Sequence, residues 1–176
     1  MTTDAARPKT PASRVGKSQA RPRTASRMAA VQALFQSEQT GDNPETVIDQ
    51  FVRHRLGAGG PGQQPGGFQD GRAPDADVAL FARIIRATVA GQEQIDAMIV
   101  AALPADWPIG RLDPVLRAVL RAGGAELGMA DGPPARVVIN EYLDVARGFF
   151  GAEAAGLANA VLDRLARLLR PGDFPV

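Results

Sequence analysis

The 176-residue chain has no cysteine, one histidine, one tryptophan and one tyrosine. Without cysteine there are no disulfides, thiolate metal sites or cysteine nucleophiles, and nothing calls for an oxidising compartment. A single histidine leaves hydrolysis or group transfer without the usual base. His54 stands between Arg53 and Arg55 near the end of an expected helix, where a surface role suits it better than catalysis. No metal-ligand spacing is present, and the glycine-rich stretch at 57–67 lacks the Gly-Lys-Ser/Thr ending of a phosphate loop and follows a helix, not a strand. The expectation is a protein that is not an enzyme and needs no cofactor or metal. Long apolar runs are also missing. The first thirty residues offer no signal-peptide core, and no stretch approaches the roughly 20 apolar residues of a membrane span. A cytoplasmic chain with no membrane partner is therefore expected.

A hydrophobic content of 45% is enough to build one domain core. The net charge of +1 conceals a division along the chain. Residues 1–27 carry Arg7, Lys9, Arg14, Lys17, Arg21, Arg23 and Arg27 against Asp4 alone, which leaves the body acidic. Such an arm is either a solvated tail or a polyanion-binding element, and nucleic acid is the leading candidate partner.

Residues 1–21 have no hydrophobic periodicity and are expected to be disordered when free. Helical spacing begins at Pro22, with Met28, Val31, Leu34 and Phe35 on one side and Arg23 and Arg27 on the exposed flank of that stripe. Asn43, Pro44 and Glu45 announce a second helix, whose stripe is Val47, Ile48, Phe51, Val52 and Leu56. Residues 57–74 hold seven Gly and three Pro and read as a flexible insertion. Asp75 or Asp77 then caps a periodic region containing Val78, Phe81, Ile85, Val89, Ile95, Met98 and Ile99, which Gly91 splits and which stops at Leu103. Asp113-Pro114 starts the next helix, where Gly123 suggests a close helix–helix approach. Pro133-Pro134 opens another with Ile139, Tyr142, Leu143, Ala146 and Phe149 inward, and a final helix after Gly151 buries Leu157, Val161, Leu162, Leu165 and Leu169 before Pro171.

No strand pattern appears, so the fold class is all-α, a bundle of about six or seven helices spanning 22–170 with a short tail at 171–176. Asn140, Glu141, Asn159 and Asp163 are expected to play structural parts: the asparagines satisfying groups inside the bundle, the acids pairing with arginines such as Arg164 or Arg167. Trp107 reads as a core lid or loop anchor, not a platform for base stacking.

Three blocks in order resemble the NusB family. They are Arg23-Thr24-Ala25-Ser26-Arg27 running into Ala30 to Gln36; Trp107 to Leu112 with Leu116 to Arg121 and Glu126-Leu127; and Val137 to Arg147 with Asn159 to Asp163. The family's acidic residue ahead of the second block's arginine run is here Leu116. The resemblance implies two small helical sub-bundles and a role in antitermination of ribosomal RNA operons. It implies binding of single-stranded boxA RNA together with NusE, a ribosomal protein, and indirect association with other Nus factors and RNA polymerase. Carried over onto this chain, Lys17, Arg21, Arg23, Arg27 and Gln32 would contact RNA, and Leu116, Arg117 and Glu126 would lie in the NusE-binding segment. Two other readings stay open: a targeting module for an enzyme that modifies ribosomal RNA, and a helical homodimer without RNA activity. The first of these needs a catalytic sheet domain, which the six residues after Arg170 do not supply.

Overall fold

Asparagine or aspartate caps followed by proline set the starts of two of the helices. A computed structural model describes residues 22–57, 72–73 and 75–174. The basic arm with Lys17 and Arg21, most of the 57–74 insertion and the last two residues lie outside the described residues. In α2 (Pro44–His54) the Asn43 side chain accepts from the Glu45 amide, and in α5 (Pro114–Leu127) Asp113 accepts from the Val115 and Leu116 amides. Proline at the first position loses no helical hydrogen bond and presets φ, so cap and proline act together. Asp77 caps α3 (Val78–Ala90) by accepting from Leu80, and Gly91 separates α3 from α4 (Gln92–Ala102). The first helix, α1 (Pro22–Thr40), closes at Gly41, which adopts φ +72° while its amide donates to the Ser37 carbonyl. This left-handed ending suits glycine. Helices α6 (Ala135–Phe149) and α7 (Ala152–Leu169) complete seven α-helices among the described residues, with no sheet. None of these helices is long and apolar enough to cross a membrane.

Helices α1 to α3 pack on one another, α4 to α7 form a second group, and α1 and α3 lie across α5. One continuous core runs through both groups, with Phe51 and Phe81 stacked 5.7 Å apart in the first and Tyr142, Leu162 and Leu165 in the second. The ends of the glycine-rich insertion meet: the Ala73 amide donates to the Arg55 carbonyl at 2.8 Å, and Leu56 and Ala73 are both buried. The described residues on either side of the insertion thus lie next to each other.

Gly123 sits where α5 crosses α6 and α7. A Cβ there would lie 2.7 Å from Leu162 Cδ2 and 3.4 Å from the Tyr142 ring, whereas one at Gly156, in the second turn of α7, would meet nothing within 4 Å. Overpacking costs about 1–3 kcal/mol, and alanine recovers about 1 kcal/mol of helix propensity over glycine. Gly123→Ala is therefore expected to destabilise by up to about 2 kcal/mol, and Gly156→Ala to stabilise by about 0.5–1 kcal/mol. Urea midpoints for the two variants should move in opposite directions.

Four expectations are corrected. Trp107 is 51% exposed, whereas Leu103 and Leu112, at either end of the segment that carries it, are buried. Val89 and Phe149 fall on the solvent edges of their helices, at 42% and 38% exposure, because each apolar stripe narrows toward the helix end. Asn140 and Asn159 face solvent rather than the interior of the bundle. Glu141 pairs not with Arg164 or Arg167 but with Arg27; Arg167 takes Asp163 one turn away on α7.

Candidate nucleic-acid interface

Everything around the start of α1 is organised by Arg27. It lies one turn beyond Arg23 and was expected beside it on an exposed flank; that expectation is corrected. Arg23 is exposed, but the helix turns the Arg27 side chain inward until only 3% of it remains accessible. Burying a guanidinium is tolerable only with charge and hydrogen-bond partners in place. Glu126 on α5, itself fully buried, supplies a bidentate pair: Arg27 Nε donates to Oε2 at 3.0 Å and Nη2 to Oε1 at 2.5 Å. Arg27 Nη1 reaches Glu141 Oε2 on α6 at 3.1 Å, and the Thr24 hydroxyl donates to the same oxygen at 2.7 Å. The Tyr142 hydroxyl donates to Glu126 Oε2 at 3.0 Å. Three helices are thus joined by five hydrogen bonds around one cation.

The electrostatics follow from this arrangement. Burial pulls the Arg27 guanidinium down, but the hydrogen bond and charge of Glu126 more than reverse it, so the net shift is upward. For Tyr142, burial and then the adjacent Glu126 charge push the phenol well above its ordinary range. Arg27 remains a cation and Tyr142 a neutral donor. A guanidinium whose donors are taken in this way offers little to a phosphate, so Arg27 holds α1 in place and Arg23 is the arginine of this helix that faces outward.

Arg23 makes no ion pair among the described residues. It lies at the edge of a groove of about 350 Å³ whose floor is the Arg27–Glu126 pair. Gln32, two turns further along α1, is half-buried.

The segment expected to bind a partner protein divides in a similar way. Leu116 is 5% exposed and Glu126 is fully buried, so the expectation that they touch another chain is corrected: one packs in the core and the other holds Arg27. Arg117 stays near the surface. Its Nη2 donates to Glu38 at 2.6 Å and its Nη1 to the Ile109 carbonyl, while Arg121 bridges Glu38 and Asp96. Sequence reasoning passed over Arg121, Glu38 and Asp96. The (i, i+4) spacing of Arg117 and Arg121, with the intervening residues buried, was the available signal.

Comparison with known proteins places the chain in a family. The model of the NusB family matches residues 24–167. The transcription antitermination protein NusB of Granulibacter bethesdensis is 63% identical over 154 residues, covering 88% of this chain and 93% of that one. NusB of T. maritima superposes with a TM-score of 0.64 at 25% identity, over 89% of this chain and 99% of that one. A crystal structure of the antitermination factors NusB and NusE in complex with dsRNA shares the fold, with a TM-score of 0.63 at 21% identity over 82% of this chain and 96% of that one.

Proposed function

Because the chain belongs to the NusB family, we propose that it is a transcription antitermination factor that binds boxA RNA of ribosomal RNA operon transcripts together with NusE. The 63% identity to a transcription antitermination protein, sustained over nearly the whole chain, carries this reading. The exposed, unpaired Arg23 at the point where the basic arm enters the bundle supports it. A single RNA strand presents closely spaced phosphates, and cations at an arm–helix junction hold them without reading sequence. Lys17, Arg21 and Arg23 take the phosphate contacts, and half-buried Gln32 lies further along the same helix. Of the segment assigned to NusE, Arg117 is the residue left at the edge of the bundle to meet it, held in place by Glu38. No catalytic step belongs to this role, and the protein acts in the cytoplasm, where transcripts are made.

Counterion release gives a quantitative check. Each phosphate neutralised on a single strand contributes a slope of about −0.7 in log affinity against log salt. Changing Arg21 and Arg23 to Gln is expected to flatten the slope by up to about 1.4 and weaken binding, while the thermal midpoint stays put. The measurement is a salt titration of boxA RNA binding, with and without NusE. Identical slopes for variant and wild type would leave the arm a solvated tail and move the RNA site elsewhere.

A further inference from the structure

The groove beside Arg23 has no part in the reading above beyond that one residue. It runs between the first turns of α3 and the α5–α6 loop. Leu80, Met129 and Pro133 give it apolar surface, and Arg83 and Asp131 face each other across it. Both walls are fixed. The Ser26 hydroxyl lies 2.9 Å from the Asp77 carbonyl at the start of α3, and the loop is held by Arg170, whose Nε donates to the Leu127 carbonyl and Nη1 to the Pro133 carbonyl, each at 2.8 Å. The groove is therefore formed before any ligand arrives. Its volume of about 350 Å³ falls near the lower end of the ~300–1,000 Å³ range of small-ligand sites. That suits one base and its sugar better than a folded partner.

Arg83 and Asp131 are ion-paired from opposite walls, with side chains 46% and 74% exposed. A pair this open contributes little to folding, so Arg83 can exchange the Asp131 carboxylate for a phosphate at little cost. Arg23 and Arg83 then present two cations flanking an apolar surface. Single-stranded RNA supplies the complementary pattern, with phosphates at regular spacing and unstacked bases whose faces pack on apolar side chains.

We infer that this groove receives one nucleotide of the RNA strand, with phosphates on Arg23 and Arg83 and the base against Leu80, Met129 and Pro133. The inference rests on the RNA-binding function proposed above. Asp131 acts as the internal competitor that occupies Arg83 when RNA is absent.

The test uses the full chain, NusE and a fluorescent single-stranded boxA RNA read by anisotropy. Arg83→Gln is expected to weaken binding and reduce the salt slope by about 0.7. Asp131→Asn removes the competitor and is expected to tighten binding about two- to fivefold. Both substitutions break the same ion pair, so a role confined to folding would move affinity in one direction for both. A second readout is covalent: RNA carrying 4-thiouridine at successive positions should crosslink under long-wavelength light to the tryptic peptide 122–136, which contains Met129 and Pro133. Changes of the same sign, or no crosslink to that peptide, would overturn the groove while leaving RNA binding intact if Arg23→Gln still weakens it. Failure of the wild-type protein to bind the RNA at all would overturn both the groove and the broader function.

Discussion

Arg27→Gln is expected to remove about 3–5 kcal/mol of folding stability, because it leaves Glu126 buried without its counter-charge. Domains of this size are stable by only about 5–15 kcal/mol, so the variant should melt early or populate unfolded chain at ambient temperature. The double variant Arg27→Gln with Glu126→Gln should recover part of the loss, since two neutral amides can share a hydrogen bond and no lone charge stays in the core. Arg23→Gln, one turn away and exposed, is the control and should stay within about 0.5 kcal/mol of wild type. Urea unfolding of the four proteins is the measurement. An unchanged midpoint for Arg27→Gln would mean that the pair is not buried in solution. The result bears on function as well: substituting all the α1 arginines together confounds lost RNA contacts with lost folding, so only Arg23 and the residues before it can be read cleanly in a binding assay.

Arg170 carries the next largest expectation. At the end of α7 its guanidinium spans the α5–α6 loop, donating to the carbonyls of Leu127, Met129, Gly132 and Pro133. The last carbonyls of a helix have no partner within it, and here one cation serves the end of α5 and the loop that follows. Asp173 reinforces the clasp by accepting from the Ala135 amide at 2.8 Å, at the start of α6. Hydrogen bonds to a charged group contribute about 1.5–3 kcal/mol each way, and several carbonyls would be left bare; Arg170→Ala should cost about 2–4 kcal/mol. Lysine should restore little, because a point ammonium does not reproduce the planar fork. Amide hydrogen exchange at residues 128–135 should accelerate in both variants, ahead of the helices. Uniform acceleration across the chain would show that Arg170 supports overall stability rather than this loop.

Helix positions were legible in the sequence because their determinants are local. Asn43-Pro44 and Asp113-Pro114 each carry both halves of a start signal within two residues, and Gly91 marks a break that periodicity alone would have run through. Gly123 was legible as a close approach from the glycine itself, a signal that would have misled at Gly156, where a Cβ meets nothing within 4 Å. The site was harder to read. Whether an arginine lies inside or outside depends on what faces it, and the partners of Arg27 stand 99 and 114 residues away. Two signs were nonetheless present: Glu126 is the lone acid of α5 and follows the run Ala122-Gly123-Gly124-Ala125, and Glu141 precedes the one tyrosine of the chain. Each was read on its own helix, as a surface partner or a segment marker, when together they require a cation between them. Trp107 went astray for the converse reason. A large aromatic in a proline-flanked turn suggests burial, but the turn buries Leu103 and Leu112 and leaves Trp107 half-exposed.

The separation between Arg27 and Glu126 also has a meaning in time. During synthesis α1 emerges early, carrying a cation that has no place in a core until the chain has grown by 99 residues. At about 5–20 residues per second that interval lasts roughly 5–20 s. Until then α1 has α2 and α3 to pack on but no counter-ion for its most buried charge, so the final arrangement of α1 has to wait for the second half of the chain. Docking becomes final only when α5 and then α6 arrive, and the glycine-rich insertion, which lies between the partners in sequence, lengthens the wait with each residue it adds.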